Sequence, residues 1–199
     1  EKQYPHALAH FTRAVKLEGD NSEYMLQMAQ CAYYTGKNTL ALKVIEKALK
    51  LSPKDPSLMQ WAGVFYLKDN KEQKAELMLK RALELDKSCS MCDEYLGQIY
   101  LAKGDFTTAI DHLEEALKRS DGRDDNVMVK LARAFWMTGE SGKAGSLCNK
   151  ALAINPQNDE ALYVQCAIYV DRGDINNAQQ ILKRHTGTRT SGWIYLAQG

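Results

Sequence analysis

No run of the 199 residues approaches the ~18 apolar positions of a membrane span, and no secretory leader pattern opens the chain. Net charge is +1, which argues against a dominant nucleic-acid or acidic-membrane surface. Cysteine is scarce and odd in number, so the five cannot all pair within one chain. Cys31, Cys148 and Cys166 fall at packing positions of helices, where a free thiol behaves as a small hydrophobe. That usage suits a reducing compartment, and a cytoplasmic location is expected. Proline is limited to four residues, and Pro53, Pro56 and Pro156 mark joints where helices stop or start. Catalytic signatures are missing too. There is no Gly-rich phosphate loop, no nucleophile elbow and no carboxylate pair in a recognisable setting. No catalytic residue, cofactor or metal is assigned, and the chain is expected not to be an enzyme.

What the chain does contain is a period. Ala7, Ala41, Ala75, Ala109, Ala144 and Ala178 stand 34, 34, 34, 35 and 34 residues apart. A second column follows seven residues on, at Ala14, Ala48, Ala82, Ala116 and Ala151. A third, of small residues, runs Ala29, Gly63, Gly97, Ala132, Cys166. Three columns in one register mark an array of helix–turn–helix repeats, which grows without a single central core. The first helix of each unit is apolar at i, i+3, i+4, i+7, as in Met128, Leu131, Ala132 and Phe135. Gly36, Asn70, Gly104, Gly139 and Gly173 then offer the left-handed conformation that ends a helix.

These residues resemble the tetratricopeptide repeat (TPR) family. Leu96-Gly97-Gln98-Ile99-Tyr100 and Gly104-Asp105-Phe106 match its pattern, as do Trp193, Leu196 and Ala197. The resemblance covers essentially the whole chain. It implies an all-α right-handed superhelix of antiparallel helix pairs, with about five full repeats and partial ones at both ends. The register is a second-helix remnant at 4–18, repeats at 22–55, 56–89, 90–124, 125–158 and 159–189, and a truncated first helix at 190–199. The chain starts and stops inside a repeat, so it is expected to be an excerpt of a longer protein. One extra residue falls in the polar loop 120–125. His185 replaces a packing alanine, and the stretch 185–192 is expected to be a hinge or bend, or else a helix that stops one turn short.

Few residues stand outside this pattern. Cys89-Ser90-Met91-Cys92 has metal or redox spacing, but no second pair accompanies it. Two thiols near a loop are the expectation. His6 and His10 share a helix face without a third ligand, and they and His112 are expected to be surface residues.

In the resembled family the first helices line a concave groove. The positions that would face it are Gln30, Tyr33, Gln60, Trp61, Val64, Tyr95, Gln98, Lys130, Arg133, Trp136 and Tyr163. Tyr, Trp and Arg are frequent interface anchors. The Lys/Asn/Arg clamp of chaperone-tail binders is absent, since the matching places hold Leu26, Gln30, Trp61, Met91 and Tyr95. The asparagine ladder of sugar-transferring repeat enzymes reduces to Asn126. The expected function is therefore a scaffold or adaptor that binds a peptide or partner subunit in the groove. Trp61, Tyr95 and Trp136 would bury apolar groups, and Lys130 with Arg133 would meet a local acidic group. No nucleic-acid partner and no membrane insertion are expected. Two alternatives stand: a docking or regulatory region of a larger enzyme, and a self-associating array.

Overall fold

The computed structural model describes residues 3–19 and 21–185, and every regular element among them is a helix. They are α1 (Gln3–Leu17), α2 (Ser22–Tyr34), α3 (Asn38–Leu51), α4 (Pro56–Lys68), α5 (Glu72–Leu85), α6 (Ser90–Lys103), α7 (Phe106–Arg119), α8 (Asp125–Met137), α9 (Ser141–Ile154), α10 (Asp159–Asp171) and α11 (Ile175–His185). The expected truncated helix at 190–199 lies outside the described residues, as does nearly all of the 185–192 segment.

Each first helix ends in a left-handed turn residue. Gly36, Gly104, Gly139 and Gly173 have φ between 73° and 83°, and Asn70 has φ 57°. The turn residue's own N–H bonds back to the helix, as from Gly36 to the Tyr33 carbonyl at 3.0 Å. The extra residue of the α7–α8 loop is absorbed by two successive left-handed residues, Asp121 and Gly122.

First helices begin on a column that the alanine pattern does not reveal: positions 21, 55, 89, 124 and 158. Asn21 accepts from Tyr24 N at 3.0 Å and Asp55 from Ser57 N at 2.8 Å. Asp124 accepts from Asn126 N at 3.0 Å and Asn158 from Ala161 N at 3.0 Å. Each supplies an oxygen to an otherwise orphaned amide. At 89 the column holds Cys89, whose sulfur lies 3.2 Å from Cys92 N.

The alanines are small because helices touch there. Ala41, Ala48, Ala75, Ala82, Ala109, Ala116, Ala144 and Ala151 are fully buried. Gly63 makes the same argument more sharply. A Cβ built on it would stand 2.6 Å from Leu79 Cγ, a side chain that is itself fully buried.

The chain divides into two compact units, Glu1–Ile99 and Tyr100–Gly199, with the division inside α6. In the first, α4 packs on α3 and α5, and α2 reaches α4. In the second, α8 packs on α7 and α9, α10 on α9 and α11, and α8 reaches α10. Its core gathers Leu113, Val127, Met128, Leu131, Phe135, Cys148, Val164 and Ile168 around the alanines. In two repeats a clasp joins start to end. Ser52 Oγ bonds Ser22 Oγ at 3.0 Å, and the Asp125 carboxylate accepts from Asn155 at 3.1 Å and Asn158 at 2.8 Å.

Candidate interaction face of the first helices

In the first unit, rings from three helices collect on one face. Tyr33 stacks on Phe65 at 5.2 Å, and Trp61 meets Tyr33, Tyr34 and Phe65 at 6.4, 6.2 and 5.7 Å. Tyr4 of α1 stacks on Tyr34 at 4.7 Å. Tyr34 is 52% exposed, so the cluster has a buried base and an open rim. Tyr95 of α6 is half-buried and near enough to Tyr33 and Tyr34 to feel their charge. Burial pushes its phenol up to about 12, with Tyr33, Glu94 and Tyr34 adding to the shift. The rings also join α2 to α4, so they contribute to packing as well as to surface.

Sequence reasoning singled out Tyr33, Trp61 and Tyr95 but missed Tyr4, Tyr34 and Phe65. Tyr34 follows Tyr33 directly, and its column continues as Lys68, Ala102 and Met137, so no period signals it.

Two expectations in this unit need correction. Val64 is 2% exposed and offers nothing to a partner. The reason is that α4 buries Ala62 through Tyr66 in succession. Five residues at about 100° each pass right around a helix. Gln60 is half-buried with its amide already engaged. Its Nε2 donates to Met91 Sδ at 3.0 Å, and its Oε1 lies 3.2 Å from Cys89 Sγ. Gln30 is half-buried and Gln98 exposed.

In the second unit Trp136 packs edge-on against Tyr163 at 6.2 Å, and its indole N–H donates to Asp171 at 2.5 Å. Arg133 pairs with Glu160 at 3.7 Å, so the acidic group near it comes from α10 of the same chain. Lys130 is half-buried.

The cysteines differ from expectation. Cys89 and Cys92 form a disulfide across the first turn of α6 rather than two thiols. Both are buried, and Cys31, Cys148 and Cys166 are free. Burial pushes the Cys148 thiol up to about 12. His6 and His10 are exposed, whereas His112 stacks on Tyr100 at 5.7 Å and is half-buried. Among the described residues no group of three metal-ligating side chains converges, and no helix is long and apolar enough to cross a membrane.

Residues 1–161 match the family of the tetratricopeptide repeat protein 21 C-terminal ARM domain. A TPR repeat-containing protein of Methanocaldococcus jannaschii is 25% identical over 90% of this chain and 32% of its own length. The BBSome complex member BBS4 of Bos taurus is 26% identical over 86% of this chain and 33% of its own. The chain thus spans about a third of these relatives. Among solved structures, YrrB, a TPR protein with an unusual peptide-binding site, superposes with a TM-score of 0.71. It covers 88% of this chain and 90% of its own at 18% identity, a likeness that shows the fold.

Proposed function

The chain belongs to the family of the tetratricopeptide repeat protein 21 C-terminal ARM domain, and from that premise we propose that it is a non-catalytic interaction segment. It holds a segment of a partner subunit against the first-helix face of its first unit. The observation that carries this reading is the ring cluster of Tyr4, Tyr33, Tyr34 and Trp61, packed at its base and open at Tyr34. Preorganised aromatic groups lose little entropy on binding, and they supply most of the anchors at protein interfaces. Membership of a multi-subunit assembly is supported by the likeness to the BBSome member. In the second unit Trp136 and Arg133 have partners on α10 and would serve a lesser role.

The test is capture of partner subunits by the full-length protein carrying Tyr34→Ala or Trp61→Ala, with circular dichroism as the fold control. Loss of about 2 kcal/mol or more of binding is expected at a true anchor. Lys43→Glu on the exposed side of α3 should leave capture unchanged. Normal capture by both ring variants would sink the proposal.

A further inference from the structure

A second surface belongs to the second unit, where α7 and α9 flank a cleft with α8 as its floor. Its volume is about 560 Å³. Leu131 and Phe135 of α8 form the base, and Leu117 of α7 and Leu147 of α9 the lower walls. Leu131 and Phe135 are nearly buried, while Leu117 and Leu147 are only partly covered. The volume falls within the range of ordinary ligand clefts.

The two walls carry different charge. The α9 wall presents Lys143, Ser146 and Lys150, with no acid among its lining residues. The opposite side mixes Glu114 and Lys118 of α7 with Asp121 of the α7–α8 loop, and the Glu114 charge reaches Lys143. Lys143 lies 4.8 Å over the Phe135 ring and 2.6 Å from Glu140, so its ammonium sits at the mouth of the apolar floor. Its side chain is 62% exposed, and an ion pair that open contributes little. An incoming carboxylate can therefore replace Glu140 at small cost. The wall is open because α9 is built from small residues. Ser146 stands where α5 carries Leu77, and a Cβ on Gly145 would touch nothing within 4 Å.

We propose that this cleft docks an acidic amphipathic segment of a partner protein, its apolar side chains on Phe135, Leu131, Leu117 and Leu147 and its carboxylates along the α9 wall. Lys143 and Lys150 are seven residues apart on one helix, a rise of about 10 Å. Carboxylates at i and i+7 of a bound helix match that interval. The ring cluster of Tyr4, Tyr33, Tyr34 and Trp61 offers aromatic surface, whereas this cleft adds a lysine-bearing wall to an apolar floor.

The experiment uses the 199-residue chain and three fluorescent helical peptides. One carries leucines at i, i+3, i+4 and glutamates two turns apart. The second has lysine for each glutamate, and the third has serine for each leucine. Saturable binding of the first peptide alone is expected, weakening with salt, with amide shifts at Gly122, Leu131 and Ser146. Lys143→Glu with Lys150→Glu should weaken it at least tenfold, and so should Ser146→Trp, which fills the cleft without changing charge. Trp61→Ala should leave it unchanged, so the outcome is independent of the first-helix proposal. Absence of saturable binding, equal binding of the lysine peptide, or full affinity in folded Ser146→Trp would each overturn the inference.

Discussion

One absent methyl group sets how closely α4 and α5 approach. Gly63 faces the branch point of Leu79, and Leu79 has no solvent side into which to swing. Gly63→Ala should cost about 1–3 kcal/mol, the usual penalty for overpacking a filled core. Gly145 is the opposite case. It is helical, it has open space at its Cβ, and alanine there should add up to about 1 kcal/mol. Urea denaturation of both variants checks the pair. Two glycines of one helical array should move stability in opposite directions. The sequence shows Gly63 as a member of a small-residue column, and from that its role is legible. It does not show Gly145 as a vacancy, because the column above it holds Leu42, Glu76 and Ile110 without a pattern.

The N-terminal turn of α6 is the odd one among the first helices. Elsewhere on that column an Asn or Asp oxygen accepts a backbone amide; at 89 the acceptor is sulfur. Sulfur is a weak acceptor, so this helix is the least well capped of the series. With the disulfide reduced, Cys89→Asn should raise stability by about 1 kcal/mol. Thermal unfolding in the presence of a reductant is the measurement, and no gain would show that Cys89 caps as well as an oxygen does. Sequence reasoning found the helices through their apolar spacing and their ends through the turn glycines. The cap column of Asn21, Asp55, Asp124 and Asn158 is not legible as a period, because Cys89 interrupts it with a residue that ordinarily caps no helix. The interaction face was only half legible for a related reason. Periodicity identifies which side of a helix is turned inward, and so it found Trp61 and Tyr95. It does not tell whether a neighbour has already claimed the side chain, as Met91 has Gln60 and Glu160 has Arg133.

Stability in the molecule as a whole should follow its repeats. Within each unit neighbouring helices pack on one another, as α2 on α3, α4 on α5 and α8 on α9, and in an array of this kind an internal pair can be removed without unmaking the rest. Deleting 56–89 joins Asp55 to Ser90 and gives α6 the oxygen cap it lacks. The shortened chain should remain helical and unfold cooperatively, with a smaller denaturant slope because less surface is exposed on unfolding. Circular dichroism across a urea series reads both quantities. A disordered product would mean that α4 and α5 hold the first unit together in a way their neighbours cannot replace.

The Asp125 clasp extends this reasoning to the ancestry of the chain. Asp125 opens its repeat, Asn155 and Asn158 close it, and all three fall within one 34-residue window; Ser22 and Ser52 do the same within theirs. A copying event that duplicates such a window carries both halves of its fastener along. The duplicate arrives self-closed and asks no compensating change of the residues on either side. Gene duplication can therefore lengthen an array of this kind in whole units, while each copy remains free to diverge in what it displays outward.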